Sequence, residues 1–391
     1  MSGRLLRWAC AGSALSALVT LAPATHAAPG PAPGPGERPV AELLTDLQRL
    51  YRQAEESTET YNATDEKLKD QRRRVADLNR RRAAADAAAR DGRGAAGRLA
   101  RQQYRHGSME ISSYVRLLLA RNPQGALDQR HVIRRASAGR AATAARLTAD
   151  ARTADGLAAQ AQQALTTQES LARRQKQARD SVRSRLKEVE ELLASLTPEQ
   201  LAALGRAEDD GAADAQRELV ASGALGAPDA RRAPSARGER ALRYAVEQIG
   251  KPYVWGAEGP SSYDCSGLTQ RAWRVGGWDV PRTSQEQWAR LPRVPLRELR
   301  PGDLVVYFPG ATHVALYLGD GLVVHAPRPG ARVKVSPLAA NPVLGAVRPD
   351  PEGSAVAGWR PPRLPSGARE GSDAGWGGAF AGRPSPTPSR N

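Results

Sequence analysis

The chain has 391 residues and a net charge of +16, with 57 Lys and Arg against 41 Asp and Glu, and two cysteines. That length accommodates two or three domains, and so few cysteines exclude a small disulfide-stapled scaffold. The basic balance admits an anionic partner, which for an exported chain means wall polymers or lipid headgroups and not nucleic acid; a solvated arginine-rich surface with no specific partner accounts for it equally well.

Residues 1–27 have the three parts of a secretory signal: Arg4 and Arg7, a short apolar core from Ala9 to Leu21, and the small-x-small site Thr25-His26-Ala27. Cleavage after Ala27 gives a secreted, wall-associated protein, and a retained N-terminal anchor is the alternative. Cys10 precedes most of the apolar core and is lost with it, so Cys265 is left as the sole cysteine of the mature chain.

Residues 28–39 form a Pro/Gly linker with no capacity for a core. From Val40 an apolar residue recurs every seventh position at Leu47, Ala54, Tyr61, Leu68 and Val75, the stripe of a coiled coil. The second seam fails, since Leu44 and Tyr51 give way to Thr58, Asp65 and Arg72. Such a helix packs on another helix of its own chain. Asp91-Gly92-Arg93-Gly94 and Gly97 interrupt the pattern, and an apolar elbow follows through Tyr104, Met109, Ile111, Tyr114, Val115 and Leu117–Leu119. Asn122-Pro123 ends the elbow. A second long helix is expected from Gln124 to Leu196. Thr197-Pro198-Glu199-Gln200 has the N-cap, first-turn proline and N3 glutamine of a new short helix.

Residues 40–206 thus make a helical coiled-coil hairpin. Its elbow either packs the bend or presents a docking surface, for which a membrane-protein regulator is the expected partner. Residues 207–238 are expected to be a linker, 239–350 a compact domain, and 351–391 a disordered Gly/Pro-rich tail.

Within the compact domain, Arg240–Ile249 is an amphipathic helix stopped at Gly250. A helix is also expected to start at Asp264-Cys265-Ser266-Gly267. A cysteine there meets unsatisfied backbone N–H groups and the positive end of the helix dipole, which favour its thiolate. The same N–H groups suit a developing oxyanion.

His313 and His325 flank a hairpin. A two-residue turn at Asp320-Gly321 puts the histidines on opposite faces, whereas a three-residue loop over Gly319–Gly321 pairs Leu318 with Leu322 and brings them to one face. The three-residue loop is the expected one. It makes Cys265 the nucleophile, His313 its base and His325 the orienting third member. Buried packing is the alternative for a lone cysteine, and for two histidines on one strand.

Five segments in order resolve that alternative: Tyr253-Val254-Trp255-Gly256, Asp264-Cys265-Ser266-Gly267-Leu268, Pro281-Arg282-Thr283-Ser284, Leu299-Arg300-Pro301-Gly302-Asp303-Leu304 and His313-Val314-Ala315-Leu316-Tyr317. Together they closely resemble the NlpC/p-sixty family of cell-wall cysteine peptidases. The resemblance implies an α+β papain-like catalytic domain, an antiparallel sheet packed on helices, over residues 239–350. It implies cleavage of peptidoglycan stem peptides between D-γ-glutamate and a diamino acid such as diaminopimelate, with no cofactor and no metal. Carried over by position, it makes Cys265, His313 and His325 catalytic, lines the site with Tyr253, and gives substrate contacts to Asp264, Ser266 and Ser284. A wall-associated scaffold with a dormant catalytic domain, and a related thiol amidase or acyltransferase, are the competing functions.

Overall fold

The computed structural model describes residues 38–107, 123–226 and 232–370. The signal sequence with Cys10, the Pro/Gly linker up to Glu37, the elbow residues Met109 to Leu119, and residues 371–391 lie outside the described residues.

Two long helices dominate the first half: α1, Val40–Gly107, and α2, Pro123–Ala194. They run antiparallel. Leu47, Leu50 and Tyr51 meet Val189 near one end, and Leu78 meets Leu157, Ala161 and Ala164 further along. The heptad stripe is the seam, with Leu47, Ala54 and Leu68 each buried to within 1%. Polar cross-links reinforce it, including Gln71 Nε2 donating to the Ala164 carbonyl at 2.8 Å. The glycines do not interrupt α1, which stays helical through Gly92, Gly94 and Gly97. A Cβ at Gly92 would meet Leu147 Cδ2 at 2.8 Å. Close helix approach there offsets the roughly 1 kcal/mol propensity cost of glycine.

Helix α3, Pro198–Ala221, starts as the sequence motif implies: Thr197 and Gln200 form a reciprocal capping box and Pro198 occupies the first turn. The expected linker over 207–238 is corrected here, because α3 continues to Ala221. Alanine, glutamate and arginine are strong helix formers, and the first proline beyond them is Pro228. Leu219 at its C-terminal end and Leu225 just beyond it pack on the sheet of the C-terminal domain.

The C-terminal domain is α4, Ala236–Glu247; α5, Cys265–Gly276; and α6, Ser284–Arg290, with six strands. The strands are β1, Arg293–Val294; β2, Leu304–Tyr307; β3, His313–Gly319; β4, Leu322–His325; β5, Lys334–Pro337; and β6, Val343–Val347. They form one sheet in the order β1-β6-β2-β3-β4-β5, antiparallel at every pairing. Side chains alternate across the sheet. Val306, Val314, Leu316, Val324 and Val335 face Leu242, Leu268 and Trp273 of α4 and α5. Val305, Ala315, Tyr317 and Val323 face the other side, which α3 covers. Each fully buried Leu contributes about 1.5–3 kcal/mol.

The β3–β4 connection differs from the expected three-residue loop. Gly319 pairs with Leu322 across a two-residue turn, and the register shifts between Tyr317 and Gly319. Asp320 and Gly321 both have positive φ, 51° and 70°, as a type I′ turn requires. The bulge at Leu318 supplies the extra residue, so Leu316 pairs with Val324 and the histidines share a face.

The expected disordered tail is also corrected for its first part. Residues 351–370 run over the domain, with Ala355 bridging Ser235 and the Ala368 carbonyl accepting from the Val335 N–H at 2.8 Å. Among the described residues no helix is long and apolar enough to cross a membrane.

Candidate active site

Cys265 is the first residue of α5, and Asp264 is its N-cap. The Asp264 carboxylate accepts from the Gly267 N–H at 2.6 Å and from the Gly256 N–H at 2.9 Å. Gly277, at φ 85°, closes the helix. Glycine is required at 267 for a different reason: a Cβ there would lie 2.2 Å from the Ala257 carbonyl oxygen. Absence of a side chain lets the helix start press against the 253–257 segment. The thiol is 2% exposed, and the backbone N–H of Val314, the residue after His313, reaches the sulfur. Tyr253, also buried, lies against the thiol, and its phenol is pushed well above the ordinary tyrosine range by burial and then by Cys265.

The two histidines meet. His313 Nε2 is 2.9 Å from His325 Nδ1, and His325 Nε2 is 2.9 Å from Ser336 Oγ on β5. Assigning the protons to His313 Nε2 and His325 Nε2 satisfies both contacts and leaves His313 Nδ1 with its lone pair. That nitrogen is buried with no hydrogen bond. Glu55 Oε1 lies 3.2 Å from it, an acceptor facing an acceptor in this tautomer, with no hydrogen bond between them.

Arg282 organises the floor. It is 4% exposed and donates to Asp264 Oδ1 at 3.1 Å, Asp264 Oδ2 at 2.7 Å and Ser266 Oγ at 2.9 Å. Its pairing limits the role expected for Asp264. That carboxylate is wholly buried and neutralised by Arg282, and it does not present a free negative charge to a cationic ligand. From outside the domain, Asn62 of α1 donates to Oδ2 at 3.0 Å.

Helix α1 also enters the site. Glu59 Oε1 accepts from Ser266 Oγ at 2.7 Å, and Oε2 accepts from the Ser284 backbone N–H at 2.9 Å. The thiol of Cys265 donates to Glu59 Oε1 at 3.7 Å. Burial, followed by the neighbouring Asp264, raises the Glu59 carboxyl to a pKa of about 7. The thiol in turn is pushed well above the ordinary cysteine range, first by burial and then by Glu59, Asp264 and Glu55. Tyr61 packs edge-on against Trp255, with ring centroids 4.9 Å apart.

The structure therefore brings together Tyr253, Asp264, Cys265, Ser266, Ser284, His313 and His325. Sequence reasoning missed Arg282 as a partner of Asp264, Ser336 as the third hydrogen-bonded member behind the histidines, and Glu55, Glu59 and Asn62 entirely. A signal for the last three existed in the polar residues that replace the second heptad seam at Thr58 and Asp65.

Residues 250–345 match the model of the NlpC/P60 family. A probable endopeptidase of Corynebacterium glutamicum is 42% identical over 125 residues, covering 32% of this chain and 60% of that one. A probable endopeptidase of Mycobacterium tuberculosis is 37% identical over 108 residues, covering 27% of this chain and 28% of that one. The chain thus spans under two thirds of the length of these relatives. Among solved structures, the NlpC/p60 domain of the peptidoglycan hydrolase SagA is 34% identical, covering 28% of this chain and 97% of that one, with a TM-score of 0.27. On the matched segment and its antiparallel sheet with packed helices, this chain carries an NlpC/P60 domain behind a long helical hairpin.

Proposed function

We propose that the protein is a secreted cysteine endopeptidase of cell-wall peptidoglycan, cutting stem peptides at the D-γ-glutamyl–diamino-acid bond. The observation that carries this reading is the cluster at the start of α5. A lone cysteine at a helix N-terminus lies under the N–H of the residue after His313, and His313 leads through His325 to Ser336. Relatives named as probable endopeptidases support the peptidase class.

In the reaction, His313 Nδ1 takes the thiol proton and the Cys265 sulfur attacks the scissile carbonyl carbon. The N–H groups at the start of α5 have no intrahelical acceptor and suit the oxyanion. The amine of the diamino acid leaves with the proton held by His313, and water then hydrolyses the thioester. His325 and Ser336 fix the tautomer of His313. A γ-linked glutamate keeps its α-carboxylate free beside the bond that breaks. The Ser266 hydroxyl and the Ser284 N–H are donors suited to it.

The test is release of soluble fragments from dye-labelled sacculi by the full chain bearing Glu59→Ala, beside the same chain also bearing Cys265→Ala. Release that depends on Cys265 is expected. Release that persists in the Cys265→Ala chain contradicts the reading, and no release favours a wall-binding scaffold or a different amide substrate.

A further inference from the structure

We propose that the distal half of the helical hairpin is an arginine arm that binds a linear phosphodiester polymer of the cell wall. The proposal goes beyond the peptidase reading and shares with it only the location in the wall.

Charge is divided along the hairpin. The seam sets Leu78 against Leu157, Ala161 and Ala164 and Gly92 against Leu147, so α1 beyond residue 71 runs alongside α2 up to about residue 167. Residues 72–107 and 123–167 hold 17 arginines and six aspartates, with no lysine and no glutamate. Every one of those arginines is exposed. The remainder of the same two helices, residues 40–71 and 168–194, holds 11 Lys and Arg against 13 Asp and Glu. A general preference for arginine in the chain would load both halves alike. Glutamate is a better helix former than aspartate, yet the distal half has none, so helix propensity does not account for the division either.

The arm stands away from the C-terminal domain. Helix α1 touches that domain from Tyr51, whose ring lies under the Arg328 guanidinium, to Lys69, 3.5 Å from Glu258. From Arg72 to Gly107 it runs on for about 50 Å, with its apolar stripe taken up by α2. A surplus of 11 positive charges over that length repels itself, and a bound polyanion relieves the repulsion.

The form of the surface selects the polyanion. Arg72, Arg73 and Arg74 are consecutive, as are Arg80, Arg81 and Arg82. At about 100° per residue, each triplet fans across the solvent side of α1. Arg130, Arg134 and Arg135 extend the charge onto α2. A flat bilayer meets only one side of such a rod, and a helix lying in a bilayer needs an apolar face, which here is the buried seam. A flexible chain of phosphodiesters follows the arginines around and along the rod, and guanidinium forks take phosphate oxygens in pairs.

The experiment measures binding by the full chain carrying Cys265→Ala, so that cleavage does not enter the reading. One probe is end-labelled poly(glycerol phosphate), followed by fluorescence anisotropy. The other is purified sacculi before and after hydrofluoric acid, which removes phosphodiester polymers and leaves the peptidoglycan carboxylates. The distal variant carries Arg72→Gln, Arg73→Gln, Arg74→Gln, Arg80→Gln, Arg81→Gln and Arg82→Gln together. The control removes the same charge from the proximal half, by Arg173→Gln, Arg174→Gln, Lys176→Gln, Arg183→Gln, Arg185→Gln and Lys187→Gln. Glutamine keeps the helix, and circular dichroism checks both. The distal variant is expected to bind the polymer roughly tenfold more weakly, and the control within about twofold of the parent; raising salt from about 0.1 to about 0.3 M should weaken the parent roughly tenfold. Equal losses in the two variants, equal sedimentation with intact and stripped sacculi, or tighter binding to phosphatidylglycerol vesicles than to the polymer overturns the proposal. The sacculus comparison uses no distal variant, so it decides the matter even if that variant does not fold. Because cleavage is not read, a failure of the peptidase reading leaves this result standing.

Discussion

Replacing Arg282 by methionine is expected to destabilise the C-terminal domain by about 3 kcal/mol. The guanidinium makes four hydrogen bonds, two to Asp264, one to Ser266 and one to Glu258, and both Arg282 and Asp264 are buried. Removing one partner of a buried ion pair costs roughly 3–5 kcal/mol, because the other charge stays behind uncompensated. Asp264 keeps donors in the Gly256 and Gly267 N–H groups and in Asn62, which argues for the low end of that range. The assay is urea unfolding of the full chain followed by tryptophan fluorescence, in a double-mutant cycle with Asp264→Asn. The cycle separates the pair from the packing of the arginine stem. A coupling of about 2 kcal/mol or more is expected. Loss of under about 1 kcal/mol in Arg282→Met, or no coupling to Asp264, would show that the pair is not what holds the start of α5.

Three further outcomes follow from the same geometry. Gly267→Ala should destabilise the domain by about 1–3 kcal/mol, the cost of overpacking, since its Cβ would lie 2.2 Å from a backbone oxygen that cannot swing away; thermal melting checks it. In a chain opened by Glu59→Ala, His325→Ala should lower kcat by roughly 10²–10⁴-fold through loss of tautomer control, and Ser336→Ala by only about tenfold, the worth of one buried hydrogen bond; steady-state cleavage of a stem peptide reads both.

Docking of α1 should also depend on pH. The docked Glu59 carboxyl is raised from 4.5 to about 7, so the docked form holds its proton more tightly than the open one. Docking is then fully favoured below about 4.5, weakens as pH rises towards 7, and levels off above it, a change of at most roughly 10²–10³-fold. The groups facing Glu59 are Cys265, Asp264 and Arg282 from the domain, and Glu55 on its own helix. The ratio of Cys265 alkylation rates, wild type over Glu59→Ala, cancels the thiol's own ionisation; it should rise between those values, and a flat or falling ratio would contradict the assignment.

The elements legible in the sequence were those governed by local rules. Thr197 to Gln200 and Asp264 to Gly267 are caps whose donors and acceptors lie within three residues, so the starts of α3 and α5 could be read directly. The heptad stripe gave the hairpin because its partner is a helix of the same periodicity. The β3–β4 turn was half legible: the face shared by the histidines was foreseen, but by a three-residue loop, whereas a type I′ turn and a bulge at Leu318 achieve it. The glycines of α1 and the stretch after residue 206 were misread because tertiary packing against Leu147 and against the sheet overrode composition.

Which residues of α1 fill the cleft was not legible. Glu59 is more than 200 residues from Cys265 in sequence, and a glutamate on a long helix ordinarily faces water. Thr58, 2% exposed, stands where an apolar residue would continue the second seam. A polar residue on the face that ought to be apolar implies a polar partner, and here that partner is the cleft at the start of α5.

The central claim is that Cys265 cleaves the γ-glutamyl bond of the stem peptide. Mass spectrometry of purified muropeptides after incubation with the full chain bearing Glu59→Ala, beside the same chain also bearing Cys265→Ala, tests it most directly. The account predicts new fragments split between D-glutamate and the diamino acid, absent with Cys265→Ala. Fragments split at another bond, fragments that survive loss of Cys265, or intact muropeptides from a folded chain whose thiol is shown to be open would contradict it.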